Sequence, residues 1–214
     1  MSEEFIRGVD EDLRHKQLTG IWKKYGPYVI AFLVGTVLFV AGNVTLKNYN
    51  ENHYAQVADQ YSKVEQSVLA NDMDEALKNL AAMSDTGVDG YQILVAFKEA
   101  DIELGKGNRE QAIAALDKLT GASGVEKVYR DLASLKAAMI ALDSASYDDI
   151  KRRLAPLTIE GNVWKYMAKE LLAISALATG NGEEAKSLFL QLEQDLEAPQ
   201  EIKNRARDFK SVIE

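Results

Sequence analysis

One segment recurs four times in the second part of the chain, and it restricts the fold more than any other feature. The four copies read VLANDMDEALKNLAAM from Val68, ELGKGNREQAIAALDKL from Glu103, ALDSASYDDIKRRLAPL from Ala141 and ALATGNGEEAKSLFLQL from Ala176. Aligned on Ala76, Ala112, Ile150 and Ala185, they are spaced by 36, 38 and 35 residues. Repeats of two antiparallel helices have periods of roughly 34 residues. The recurrence therefore predicts an all-α fold, an α-solenoid of stacked helix pairs.

Small and large apolar residues keep one register within the repeats. Ala100, Ala138 and Ala173 stand twelve residues before the last three alignment positions. Four and seven residues after those positions stand Leu116 and Leu119, Leu154 and Leu157, and Phe189 and Leu192. A small residue on each helix lets two helices approach to about 8 Å, and large side chains fill the space to the next pair. The alternative is a generic helical bundle whose glycine turns coincide by chance.

The first and last parts of the array depart from this pattern. In the first repeat Val64 occupies the small position, and the first helix would continue the preceding helix through Tyr54, Val57, Tyr61, Val64 and Val68. At the other end, residues 199–213 place Ile202, Ala206, Phe209 and Ile213 on one helical stripe. We expect this last helix to cap the solenoid.

An uncharged, largely apolar run of 22 residues lies between Lys24 and Lys47. A helix of that length crosses roughly 30 Å of hydrocarbon, and we expect Pro27 to mark its first turn. A buried core helix and a cleavable signal peptide are the alternatives. The sequence thus predicts three parts: an N-terminal segment at 1–24, a transmembrane helix at 25–46 and a repeat domain at 47–214.

Positive charge around the predicted span is asymmetric. Its N-terminal flank carries Arg14, Lys16, Lys23 and Lys24, whereas its C-terminal flank carries only Lys47. Because Lys and Arg favour the cytoplasmic side, we expect a cytoplasmic N-terminus and a repeat domain outside the cytoplasm. Ala31, Gly35 and Gly42 share one face of the span, which makes them a possible membrane-helix interface of the small-residue kind.

The composition leaves little for catalysis, cofactors or nucleic acid. The chain has no cysteine, and its two histidines, His15 and His53, lie 38 residues apart. The cysteines and clustered histidines that the usual catalytic, metal and cofactor sites need are therefore missing. We expect no enzyme activity, no metal and no cofactor. The formal net charge is −8, and all of this excess falls in residues 47–214, with 20 basic and 28 acidic residues. Nucleic-acid binding needs the opposite balance.

The repeats resemble tetratricopeptide repeats, and this resemblance implies a protein-binding scaffold. Such scaffolds bind partners mainly through the first helices of their pairs, which line a concave surface. The candidate groove residues are Leu94, Phe97 and Asp101 in one repeat and Met167, Glu170 and Ile174 in the last. The apolar members of this set could equally pack between repeats.

One membrane helix followed by such repeats resembles the YfgM-like family, the ancillary subunits of the bacterial Sec translocon. The resemblance is carried by the charged N-terminal segment before WKKYGPYVIAF, the Gly-Asn repeat in LLAISALATGNGEEAKSLFLQL and the closing DLEAPQEIKNRARDF. It implies an inner-membrane protein with a periplasmic repeat domain, whose partners are translocon subunits and periplasmic chaperones or emerging proteins. An assembly scaffold for another envelope or respiratory complex is the alternative function.

Overall fold

The structure is a computed structural model that describes residues 3–83 and 89–213. Within this part the side chains of residues 3–22, 25–26, 29–31, 33 and 89 are not described. The regular secondary structure described is helical and contains no strand. The helices are α1 (Glu3–Leu69), α2 (Met73–Ala81), α3 (Asp89–Gly105), α4 (Arg109–Thr120), α5 (Lys127–Ala141), α6 (Tyr147–Leu154), α7 (Lys165–Ala178), α8 (Gly182–Gln194) and α9 (Gln200–Ile213), with a 3-10 turn at Ala155–Leu157 after α6.

The chain divides into two compact units, Met1–Gln56 and Val57–Glu214. The first unit consists of helix α1 up to Gln56, and the second contains the end of α1 and helices α2–α9. The division at residues 24 and 46 that the sequence suggests stays a prediction.

Helix α1 runs through Pro27, which lies inside it. The expectation that Pro27 marks a helix start is therefore wrong, because the residues before it are already helical. A proline inside a helix removes one backbone hydrogen bond, here to the carbonyl of Lys23. The helix continues on both sides of this missing bond.

Among the residues that the structure describes, no helix carries a stretch long and apolar enough to cross a membrane. The predicted span at 25–46 falls partly outside this description, because the side chains of residues 25–26, 29–31 and 33 are not included. The transmembrane helix is not confirmed and stays a prediction.

The second unit is a series of helix pairs in which each helix from α3 to α9 packs against the next one in the chain. The residues predicted at helix crossings are at most 1% exposed: Ala76, Ala100, Ala112, Ala138, Ile150, Ala173 and Ala185. The large residues that follow them are at most 2% exposed: Leu116, Leu119, Leu154, Leu157, Phe189 and Leu192. The predicted register is confirmed, and α3, α5 and α7 are the first helices of their pairs.

Three of the turns within pairs share one conformation. Asn71, Gly107 and Gly180 lie five residues before the aligned Ala76, Ala112 and Ala185, and have φ of 59°, 83° and 81°. At Gly107 the backbone N–H donates to Leu104, and the next N–H donates to Glu103 at 2.8 Å. This pair of bonds is the Schellman arrangement, which ends a helix with a left-handed residue. Asparagine or glycine at this position thus encodes the turn.

The two ends of the array also follow the expectation. Val64 is fully buried in a cluster with Val57, Leu80 and Met83, so the end of α1 serves as the first helix of the first repeat. At the other end, Ile202 and Ala206 of α9 pack with Phe189 of α8. The phenyl rings of Phe189 and Phe209 stack with centroids 5.2 Å apart. Helix α9 therefore caps the array.

Candidate protein-binding groove

The first helices of the second unit expose apolar side chains. Leu94 and Asp101 of α3 are seven residues apart and so share one face of that helix. The exposed large apolar side chains described on α3, α5 and α7 are Leu94 (46%), Leu104 (41%), Tyr129 (40%), Met139 (52%) and Met167 (42%), and Leu69 at the end of α1 is 85% exposed. Covering a water-exposed apolar side chain with a partner lowers the free energy of the system. These positions can therefore supply binding contacts.

Two ion pairs connect neighbouring first helices. Lys98 Nζ of α3 lies 2.7 Å from Glu65 Oε1 of α1, and Lys136 Nζ of α5 lies 3.2 Å from Asp101 Oδ1 of α3. The hydrogen bond from Lys98 lowers the pKa of Glu65, and the same bond raises the pKa of Lys98. The Lys136 ammonium also lies 5.1 Å from the centre of the Phe97 ring. These charges are thus paired within the protein.

The two ion pairs occupy the same positions of the repeat. Glu65 and Asp101 each directly follow a small-position residue, Val64 and Ala100. Lys98 and Lys136 each lie two residues before the next small-position residue, Ala100 and Ala138. At the third junction the corresponding residues are Met139 and Leu171. An ionic contact between first helices is therefore replaced by an apolar pair at the junction of α5 and α7.

A cavity of about 300 Å³ lies at this junction, and we call it the methionine pocket. Its lining comes from α5, α7 and α9 and consists of Leu135, Met139, Met167, Glu170, Leu171, Ile174, Arg205 and Phe209. A second cavity of about 310 Å³ shares Met139 and is otherwise lined by Asp101, Leu104, Arg109, Lys136, Ile140 and Asp143. The two cavities adjoin at Met139, and together we call them the groove along the first helices.

Glu170 and Arg205 form the polar side of the methionine pocket. Arg205 donates from Nε to Glu170 Oε1 at 2.6 Å and from Nη2 to Oε2 at 2.7 Å. The hydrogen bonds that Arg205 donates to this carboxylate raise the pKa of Arg205. Glu170 is 7% exposed, whereas the Arg205 side chain is half exposed. The buried carboxylate is thus neutralised by its arginine.

The six predicted groove residues have different environments. Leu94, Asp101 and Met167 are exposed. Phe97 and Ile174 are half-buried against hydrophobic clusters, and Glu170 is buried beside Arg205. Met167, Glu170 and Ile174 lie together in the methionine pocket, whereas Asp101 lines the adjoining cavity. Their role in binding stays a prediction.

Sequence reasoning missed Met139, Lys136 and Arg205. The repeat register contains the signal for the first two, since Met139 occupies the position of Asp101 and Lys136 that of Lys98. Arg205 has no such signal, because its pairing with Glu170 depends on how the cap helix packs.

The residues proposed for a membrane-helix interface belong to the first unit. Gly35 and Gly42 are exposed, and nothing lies within 4 Å of a Cβ placed on either. The side chain of Ala31 lies outside the described residues. This interface also stays a prediction.

Comparison with known proteins supports the repeat architecture. The family model of the tetratricopeptide repeat-like domain matches residues 20–210. No curated protein and no solved structure matches the chain. The family match covers most of the chain and includes all the helix pairs with the buried register described above. The chain therefore belongs to the tetratricopeptide repeat-like domain family.

Proposed function

We propose that the chain is a membrane-anchored scaffold that holds protein partners in the groove along its first helices. The observation that carries this proposal is the combination of exposed Leu94, Met139 and Met167 with neighbouring charges that are already paired. Such a surface offers apolar contact area without uncompensated charge, as the cores of protein interfaces do. Membership of a repeat family whose domains commonly bind proteins supports the same function.

The anchor is proposed from the apolar run and from the exposure of its described side chains. The large apolar side chains described between Phe32 and Leu46 are all at least 51% exposed. Five consecutive apolar residues, 37–41, extend around more than one helical turn. A helix that is apolar on all sides needs an apolar environment. A lipid bilayer supplies one, which favours the proposed span at 25–46.

The partners are proposed from the resemblance to the YfgM-like family. In this proposal the protein sits in the bacterial inner membrane beside the Sec translocon, with the repeats in the periplasm. The groove then binds periplasmic chaperones or emerging proteins, and the protein acts as a scaffold and not as an enzyme.

Site-specific crosslinking in intact cells tests this function. A photoreactive amino acid is placed at Leu94 or Met139 in the groove, and at Leu190 as a control. Leu190 is 39% exposed but lies on the second helix α8. We expect crosslinks to translocon subunits or periplasmic chaperones from the groove positions only. Crosslinks to subunits of another envelope or respiratory complex would favour the assembly-scaffold alternative, and equal crosslinking from all three positions would contradict a groove.

Membrane orientation is tested separately. A phosphatase that is active only after export is fused after Glu214, and we expect it to be active. A matched fusion of a reporter that works only in the cytoplasm is expected to be silent. The reverse result would contradict the proposed orientation and localisation.

The anchor itself is tested by exchange. Residues 27–46 are replaced by an unrelated apolar span of equal length, and we expect the partner still to co-purify in mild detergent. Deleting residues 88–214 is expected to abolish co-purification. Loss of the partner on exchange alone, with the repeats folded, would assign the contact to the face of Ala31, Gly35 and Gly42 instead.

A further inference from the structure

We propose that the methionine pocket is the anchor site for an uncharged apolar segment of a partner protein, one that presents two large apolar side chains close together in its sequence. This inference rests on the proposed function and specifies which part of the groove binds and what kind of segment it takes.

The repeat register marks this pocket as different from the neighbouring junctions. Equivalent positions hold Glu65 with Lys98 and Asp101 with Lys136, but Met139 with Leu171. Charged side chains line the cavities at the two ionic junctions, Lys98 with Asp101 at one and Asp101 with Lys136 at the other. The third junction has no charged pair at these positions, and its cavity is the methionine pocket. Helix α5 thus presents an apolar side chain where α1 and α3 present an acid.

The lining of the pocket suits an apolar guest of variable shape. Leu135 and Leu171 are at most 7% exposed, whereas Met139 and Met167 are 52% and 42% exposed. Methionine is unbranched and polarisable, so its side chain adjusts to differently shaped partners. Two exposed methionines over buried leucines therefore favour apolar contact with more than one sequence.

The charges around the pocket disfavour a charged guest. Of its eight lining residues only Glu170 and Arg205 are charged, and they pair with each other. Burying a further charge without a partner there costs desolvation free energy. Residues 57–214 carry 19 basic and 27 acidic residues, a balance of −8, which repels acidic segments at long range. An uncharged apolar segment is the guest that this environment accepts.

The size of the groove favours a polypeptide over a small molecule. The methionine pocket, at about 300 Å³, lies at the lower end of the range for small-molecule sites. Through Met139 it adjoins a second cavity of similar volume. A segment with one side chain in the pocket can therefore continue along the first helices towards Lys136.

The test uses the full chain in phosphatidylcholine nanodiscs and a labelled peptide of about twelve residues, with two leucines four positions apart as in helical anchors, in an Ala, Gln and Ser background. The control peptides carry serine in place of both leucines, or glutamates beside the leucines. Empty nanodiscs give the lipid background. We expect the leucine peptide to bind about tenfold or more tightly than either control.

Variants locate the binding. Met139→Gln combined with Met167→Gln is expected to weaken binding of the leucine peptide about tenfold, whereas Leu190→Gln is expected to leave it unchanged. A melting curve confirms that each variant folds. The comparison between peptides needs no variant, so it still tests the preference for an uncharged apolar segment if the double variant fails to fold.

Three outcomes overturn the inference: equal binding of the leucine and serine peptides, tighter binding of the glutamate peptide, or unchanged binding in a folded double variant. The proposed function fails separately. If crosslinks from Leu94 to a cellular partner persist at full yield in the double variant, the groove function stands and the pocket is not the anchor. If the wild-type groove gives no crosslinks, the scaffold function itself is wrong.

Discussion

Arg205 donates two parallel hydrogen bonds, of 2.6 and 2.7 Å, to the carboxylate of Glu170, which lies 35 residues earlier in the sequence. The glutamate belongs to α7 and the arginine to α9, so the contact fastens the cap helix to the last complete repeat. The carboxylate is buried and would be costly to leave without a partner.

Replacing Arg205 with alanine should therefore destabilise the repeat unit. Loss of hydrogen bonds to a charged group costs about 2 kcal/mol, which lowers the melting temperature of a chain of this size by roughly 4–8 °C. Thermal unfolding followed by circular dichroism measures this change. Arg152→Ala is the matched control, because Arg152 pairs with Asp149 at the surface. Equal melting temperatures for the two variants would contradict the assigned role of the pair.

Enlarging a small-position alanine should overpack a helix crossing. Ala112 and Ala185 are fully buried, so Ala112→Leu and Ala185→Leu are each expected to cost about 1–3 kcal/mol. Denaturant unfolding of the full chain measures the loss. Ala114→Leu is the control, since Ala114 lies on the same helix as Ala112 but is exposed. If the buried substitutions were as harmless as the exposed one, the register would be wrong at these positions.

The left-handed turn residues should tolerate asparagine better than alanine. Gly107 has φ of 83°, where a residue with a Cβ other than Asn or Asp is strained by about 1–2 kcal/mol. Gly107→Ala is expected to lower stability by that amount, and Gly107→Asn by less, because Asn71 occupies the same place in the first turn with φ of 59°. Chemical denaturation compares the two variants.

Gly121 is the control for this prediction because its φ is −90°. There alanine is unstrained and reduces the freedom of the unfolded chain, so Gly121→Ala should be neutral or slightly stabilising. A similar loss at both glycines would mean that the sign of φ does not decide the effect.

Tyr147 should ionise far above the ordinary range for tyrosine. Its pKa is raised to about 12, mainly by burial and to a smaller extent by the hydrogen bond that its hydroxyl donates to Glu184. The pKa of Tyr147 is higher in the folded state than in the unfolded state, where it lies near 10. The protonated hydroxyl therefore stabilises the folded state fully below pH 10, and this contribution is lost as the pH rises towards 12.

Ultraviolet titration of the phenolate measures this ionisation. Subtracting the curve of Tyr147→Phe from that of the wild type isolates the group from the other eight tyrosines. Glu184→Gln removes the smaller cause, so it should lower the pKa of Tyr147 only in part. A difference curve centred near 10 in the folded wild type would contradict the assigned environment.

The repeat register was predictable because it depends on local periodicity. The positions of Ala112, Ala173 and Ala185 follow from spacing alone, since small residues favour a close helix crossing. The Gly-Asn turns are equally local, because a left-handed backbone selects glycine or asparagine. These features could be found without knowing how one repeat packs on another.

The pairings across the groove could not be predicted in this way. Whether Glu170 faces a partner or its own cap depends on the position of α9. The positions equivalent to Arg205 in the earlier repeats hold Glu99, Ala137 and Leu172, so no repeated basic residue marks it. The continuation of α1 through Pro27 was also missed, because a proline in a long helix removes only one hydrogen bond. Tertiary packing decides such cases more than sequence pattern does.

Helix α9 has the place of a first helix in the register, with buried Ala206 lying 33 residues after Ala173. It therefore covers the side of α8 that carries Phe189 and Leu192. Without α9, Phe189 and Leu192 of α8 would form an exposed apolar surface, to which the first helix of another molecule could bind. Truncation before residue 200 should consequently make the molecules associate end to end, as repeat arrays without a capping helix do.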